Sequence, residues 1–384
     1  MIGQKQVPSR EGGVEVAVEA LSVRMASLGH DVTVYNRGMK TGCAAVQKTA
    51  HGTYQYKGIH IRVVPVIQRR GISAFTGSLF ATLHALFCHY DCIHYHAEGP
   101  AAMAFLPHLF GIRTVVTIHG LDWQRSKWGR FASWYLRMGE KIAAAHADEL
   151  IVLSHAAQEY FLDTYHRKTV YLPNGVEDAQ LRAPDLIFSQ WKLQKDSYLL
   201  YLGRIVPEKG LSVLLEAFRG VKTDKRLIIA GEASDTEDYA RRMREMAAED
   251  DRVQFVGFVK DAVLQELYTN CYLYCMPSEI EGMSLSLLDA MRYGCSCVCS
   301  DIPECTEVIS DCGYTFPRGD SAALRRCLQS LCDVPEKVAE SRERTQAHSF
   351  GRHNWDTVAE KTLELYRGIP DESTAVRHAK EKAE

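Results

Sequence analysis

The pattern that most constrains this chain is an alternation of strands and helices that runs through the first half, breaks, and starts again. Apolar, β-branched runs at 30–35 (HDVTVY), 59–66, 91–96 (DCIHYH), 113–119 (RTVVTIH), 149–154 (ELIVLS) and 169–172 read as strands, with a helical stretch at 14–28 and further helices between them. Strand runs spaced by helical segments imply βαβ units and a parallel sheet. A polar stretch at 183–195, carrying Pro184, interrupts the rhythm. Strands then recur at 197–203 (SYLLYLG), 226–231 (RLIIAG), 253–255, 272–276 and 296–300, with a helix at 210–218. Two α/β domains are expected, 1–185 and 186–350. An amphipathic helix follows at 354–366, with Trp355, Val358, Leu363 and Tyr366 as its buried positions, and then a charged tail at 369–384. One strand is short of expectation. The Gly-rich loop 10–13 precedes the first helix, yet Met1–Gly3 supplies only the end of a strand before it; a start upstream of Met1 would account for this.

Composition narrows the class. The 384 residues exceed the usual single-domain ceiling, and 46% hydrophobic with 24% charged residues is enough for two cores. A net charge of −3 gives no footprint for nucleic acid. No apolar run approaches the roughly 18 residues of a membrane span, and the polar N-terminus lacks the apolar region of a secretory signal. The twelve cysteines contain no C-x-x-C pair, and Cys295, Cys297 and Cys299 alternate along one face of a strand. They read as buried free thiols of a reducing compartment, which places the chain in the cytoplasm.

Three motifs carry chemistry. Gly203-Arg204-x-x-x-x-Lys209-Gly210 leaves a strand and opens a helix, so a fork and a point charge can both reach a diphosphate near a helix N-terminus. A solvated surface pair is the alternative. Ser278-Glu279-Ile280-Glu281-Gly282-Met283-Ser284 follows a strand and precedes the helical run LSLLDAMRYG. Glu281 and Asp289 lie about two helical turns apart and can face one cleft edge, although capping alone would account for Glu279 and Glu281. His119 ends a buried strand, where such sheets place their chemistry; a satisfied core histidine is the rival reading. His94 and His96 are weaker candidates for the same cleft. Gly12 and Gly13, before the first helix, allow close backbone approach to a ligand. No Asp-x-Asp triplet suggests a Mg²⁺-bridged donor, and no G-x-G-x-x-G follows a strand, which argues against a dinucleotide dehydrogenase.

Taken together, GGVE (12–15), IHGLDWQRSKW (118–128), ADELIVLS (147–154), YLPNGVE (171–177), YLGRIVPEKG (201–210), AG (230–231), EIEGMSLSLLDAM (279–291) and SDIPECTEVI (300–309) resemble, in family order, the GT-B glycosyltransferases of family 4. The opening QKQVPSREGGVE and the run HGLDWQRSKWG are similar to bacterial rhamnosyltransferase-like members. The resemblance implies two doubly wound Rossmann-like domains facing a cleft, with the C-terminal helix (351–368) returning to the first. It implies transfer from a nucleoside-diphosphate sugar with retention and without metal or other cofactor, to a glycan or lipid-linked glycan. Arg204 and Lys209 would hold the pyrophosphate, with Gly12 and Gly13 near it. Glu279, Glu281 and Gly282 would lie against the donor sugar with the amides of Met283 and Ser284, His119 would contact the sugar, and Asn174 would frame the cleft. Asp289 stands where the family has a second glutamate, one methylene shorter towards the ribose.

The acceptor side is expected around Asp122, Trp123, Arg125 and Trp128, with Lys127 and Arg130. Such cations beside aromatics suit a peripheral contact with the inner face of the plasma membrane, and a solvated basic helix face beside core tryptophans is the alternative. A nucleotide-sugar 2-epimerase of the same architecture and a non-catalytic nucleotide- or glycan-binding protein are the rival functions.

Overall fold

The structure, a computed structural model, describes residues 1–38, 46–49, 53–69, 72–125, 128–234, 236–348 and 351–368. The chain forms two compact units. The first comprises Met1–Gly175 and the chain from Gly351 onward; the second is Val176–Phe350.

In the first unit the strands are β1 (Thr33–Asn36), β2 (Gln47–Lys48), β3 (Thr53–Tyr56), β4 (Ile59–Val63), β5 (Cys92–His96), β6 (Arg113–Ile118), β7 (Glu149–Val152) and β8 (Val170–Tyr171). They pair as β1-β4-β3-β2 and β5-β6-β7-β8. The opening residues join the two sets. Ile2 bridges in parallel to Tyr35 of β1 and Tyr95 of β5, its amide donating to the His94 carbonyl at 2.9 Å and its carbonyl accepting from the His96 amide at 2.8 Å. Met1–Gly3 thus fills the central strand slot with a two-sided bridge instead of a full strand, and Ile2 is buried there.

The second difference from expectation is the antiparallel β2-β3-β4 edge. Tyr56 faces Ile59 across Lys57 and Gly58, whose φ values of 45° and 84° suit a two-residue turn with the twist of a hairpin. The C-terminal helix Trp355–Arg367 belongs to this unit. Asn354 caps it by accepting from the Asp356 and Thr357 amides. Trp355, Val358 and Leu363 are buried, Arg24 of the first helix (Gly13–Ser27) pairs with Asp356 at 2.7 Å, and Arg113 Nε donates to the Leu365 carbonyl at 2.8 Å.

The second unit is a six-stranded parallel sheet: β9 (Tyr198–Leu202), β10 (Arg226–Ala230), β11 (Val253–Gly257), β12 (Leu273–Met276), β13 (Cys297–Ser300) and β14 (Tyr314–Phe316), ordered β11-β10-β9-β12-β13-β14. Continuous apolar runs such as YLLYL in β9 suit strands covered on both faces. Leu199, Leu214, Phe218, Leu227, Leu273 and Val298 pack in one buried core, each such side chain contributing about 1.5–3 kcal/mol. Residues 176–185, expected with the first domain, lie in the second unit. The cause is local: the Arg182 amide donates to Thr269 Oγ1 at 3.3 Å and its carbonyl accepts from Asn270 Nδ2 at 3.0 Å. All cysteines among the described residues are free thiols.

Candidate active site

In the second unit the chain leaves β9 in one direction, towards β10, and leaves β12 in the other, towards β13. Between β9 and β12 the winding reverses, and the loops beyond their carboxyl ends border a crevice. Those loops are 203–210 and 277–284, the two segments that the sequence singled out. They are stitched together. The Glu279 amide donates to the Glu208 carbonyl at 2.9 Å. Gly210 has φ +65°, and a Cβ there would lie 1.9 Å from the Pro277 carbonyl oxygen, so only glycine permits the approach.

Across this junction Lys209 Nζ lies 2.5 Å from Glu281 Oε1, the side chains 18% and 8% exposed. Ser278 Oγ donates to the same carboxylate oxygen at 2.6 Å, and Ser300 Oγ, at the end of β13, donates to the Ser278 carbonyl. Glu281 is thereby held in one orientation by a charge and a hydroxyl. The Arg204 guanidinium makes no ion pair or hydrogen bond among the described residues, while its carbonyl accepts from Tyr201 Oη at 3.1 Å. The two loops therefore carry a Lys–Glu pair and, at Arg204, a cation with no ion pair among the described residues.

The remaining expected donor-side residues separate. Gly282 and Met283 are buried and Glu279 is exposed, contributing its amide. Ser284 caps the helix Leu285–Arg292, its hydroxyl accepting from the Leu287 amide at 3.4 Å. Asp289 is half-buried on that helix beside the stacked rings of Tyr268 and Tyr293, whose ionisation is opposed by burial first and by the Asp289 charge in addition.

In the first unit, adjacent β5 and β6 bring three histidines together. His94 and His96 alternate on β5 and stack at 4.1 Å. Both are buried in the interior, because parallel strands covered on both faces leave neither side of β5 open. His94 bonds Tyr366 Oη at 2.6 Å and Thr117 Oγ1 at 2.7 Å. His96 Nδ1 lies 3.1 Å from Nε2 of His119, the half-buried residue that follows β6. Burial holds His119 down to about 4, against the pull of the Asp122 charge, and holds His94 and His96 well below the usual histidine range. All three are neutral at pH 7. Glu98, just beyond β5, is pushed up to about 10 by burial, with Asp122 and Glu140 adding to the effect.

Asp122 pairs with Arg125 at 3.0 Å, and the Arg137 guanidinium sits 4.0 Å from the Trp123 ring centre. Trp123 and Trp128 are half-buried, so the exposed aromatics of this region are Phe131 (78%) and Trp134 (58%), on the helix Arg130–His146. Lys127 lies outside the described residues. Gly12 and Gly13 start the first helix, with Gly12 at its N-cap. The Glu15 carboxylate accepts from the Lys5 amide at 2.8 Å. Asn174 is buried, and its carbonyl bonds His353 Nδ1 at 3.0 Å. Sequence reasoning passed over Ser300 and the buried Glu208 and Glu98, and gave His96 no tie to His119. Only strand adjacency reveals these partners.

Each unit matches one family description. Residues 11–180 match "Glycosyltransferase Family 4" and residues 196–333 match "Glycosyl transferases group 1". The chain is a glycosyltransferase. It is 28% identical over 295 residues to an uncharacterized glycosyltransferase, YqgM, of Bacillus subtilis, covering 73% of this chain and 78% of that one. It is 30% identical over 238 residues to the phosphatidyl-myo-inositol mannosyltransferase of Mycobacterium leprae, covering 60% and 61%. Anabaena HepE in complex with UDP-glucose has a similar fold, with a TM-score of 0.78, 18% identity, and 94% and 98% of the two chains covered. The GT-B architecture and the glycosyltransferase activity that the motifs implied both stand; a particular kinship with rhamnosyltransferases does not emerge from these relatives.

Proposed function

We propose that this glycosyltransferase binds a nucleoside-diphosphate sugar in the β9–β12 crevice and transfers the sugar, with retention and without a metal, to a glycan or lipid-linked glycan of the cell surface. The observation that carries the reading is the Lys209–Glu281 pair at 2.5 Å beside Arg204 at the switch point. Transfer from such a donor builds charge on the departing diphosphate, and preorganised cations stabilise that charge most where water is excluded. Arg204, without a partner for its guanidinium among the described residues, and Lys209 suit that task; Glu281, oriented by Ser278, suits the sugar hydroxyls. HepE, solved with UDP-glucose, supports the donor class, and an O-antigen chain mannosyltransferase among the relatives supports the acceptor class.

A thermal-shift screen against UDP-, GDP- and dTDP-sugars tests the donor. A ligand at about 100 times its Kd stabilises by about 2.7 kcal/mol, so one nucleotide class raises the melting temperature and Arg204→Ala removes the rise. No shift with any class defeats the reading. Turnover unchanged in EDTA and an NMR-defined product anomer matching the donor test metal independence and retention.

No helix among the described residues is long and apolar enough to cross a membrane. The helix Arg130–His146 instead presents Arg130, Phe131, Trp134, Arg137 and Lys141 to solvent with no exposed acid among them. That stripe suits peripheral contact with an anionic bilayer at the cytoplasmic face. Flotation with phosphatidylglycerol vesicles, lost in high salt and in Trp134→Ser, supports the contact; absence of flotation retires it.

A further inference from the structure

His96 is fully buried, and its two ring nitrogens have unlike surroundings. Nδ1 faces His119 Nε2 at 3.1 Å, whereas Nε2 has no hydrogen-bond partner among the described residues. His94, stacked on His96, cannot serve that nitrogen, because both of its own are engaged by Tyr366 and Thr117. With both rings neutral, one hydrogen occupies the contact between His96 and His119. Were His119 its donor, the single proton of His96 would stand on Nε2, an N–H buried with nothing to accept it. Orphaned buried donors are rarer than under-satisfied acceptors, so the proton belongs on Nδ1 of His96 and points at His119.

The consequence reaches the candidate site. His119 accepts at Nε2 and therefore carries its own proton on Nδ1, which makes no hydrogen bond among the described residues. We propose that His96 is a positioning residue that fixes His119 in the Nδ1–H tautomer, so that His119 offers a hydrogen-bond donor to an oxygen of the bound substrate. The second half of that statement rests on the substrate contact of His119 that the family resemblance implies; the first half does not. The arrangement follows the general pattern in which the bond at one imidazole nitrogen sets the role of the other.

Long-range proton–nitrogen correlation spectra of the full chain, labelled with ¹⁵N-histidine and recorded near pH 7.5, read the tautomer without substrate. The His119 signals are identified by their loss in His119→Gln. In wild type, His119 is expected as Nδ1–H. In His96→Phe it is expected to shift to Nε2–H or a mixture, and in His96→Asn, whose amide places an N–H near the former Nδ1, to return to Nδ1–H. An Nε2–H tautomer of His119 in wild type overturns the proposal whether or not any variant folds, and so does an unchanged tautomer in a folded His96→Phe. Transfer provides the second reading: kcat should fall at least tenfold in His96→Phe, with the KM for donor little changed, and recover in His96→Asn. A shifted tautomer with unaltered kcat would remove the substrate contact of His119 while leaving the tautomer control in place.

Discussion

The Lys209–Glu281 pair makes a stability prediction that can be separated from its catalytic one. Removing one partner of a buried ion pair costs about 3–5 kcal/mol, because the remaining charge stays desolvated. Here Ser278 Oγ still holds Glu281 at 2.6 Å, and Lys209 retains 18% exposure, so about 2–3 kcal/mol is expected for Lys209→Met and for Glu281→Gln. In a unit of this size, 1 kcal/mol moves the midpoint by about 2–4 °C, giving a drop of about 4–12 °C for each single variant. The double variant leaves no charge stranded and should melt within a few degrees of wild type, a coupling of about 2 kcal/mol or more. Its transfer activity should stay lost, since the groups proposed to face the donor are gone. Scanning calorimetry measures the first effect and donor-dependent turnover the second. If the losses of the singles simply add in the double, the 2.5 Å contact carries no net energy and the account of Glu281 as a carboxylate held in place by Lys209 is wrong.

Other perturbations reach different parts of the molecule. Gly210→Ala should cost about 2 kcal/mol or more and weaken donor binding, because the new Cβ meets the Pro277 oxygen at a φ of +65°; isothermal calorimetry of donor binding and a melt check both. Asp289→Glu restores the missing methylene, so a fall in donor KM without change in kcat is expected if the helix Leu285–Arg292 contacts the ribose. Glu98 is pushed from 4.5 to about 10 on folding. The native state thus keeps a proton that the unfolded chain releases above about 4.5, and stability falls as pH rises between those values. Glu98→Gln should accordingly raise the melting temperature far more at pH 9 than at pH 5, and equal effects at both would refute the buried, protonated carboxyl.

The crossover architecture was legible because strands covered on both faces must be apolar throughout, as in RTVVTI and YLLYL. The β2-β3-β4 edge was not. TYQY is half polar, and its signal was the two-residue Lys57-Gly58 spacing before IHIRV. At the donor side, Arg204, Lys209 and Glu281 are legible as spacings along single loops, and the fold brings those loops together. That Lys209 would meet Glu281 is not, since it depends on β9 lying beside β12. Ser300 reaches Ser278 only through the pairing of β12 with β13, and His96 reaches His119 only through that of β5 with β6. Local sequence shows which residues sit at strand ends; sheet order decides which of them touch.

The central claim, a donor site at the β9–β12 switch point, is tested most directly by hydrogen exchange with the UDP-, GDP- or dTDP-sugar that stabilises the chain. Slowed exchange in the segments 203–210 and 278–289, absent in Arg204→Ala, is the predicted result. A stabilising donor that leaves both segments exchanging as in the free chain would contradict it.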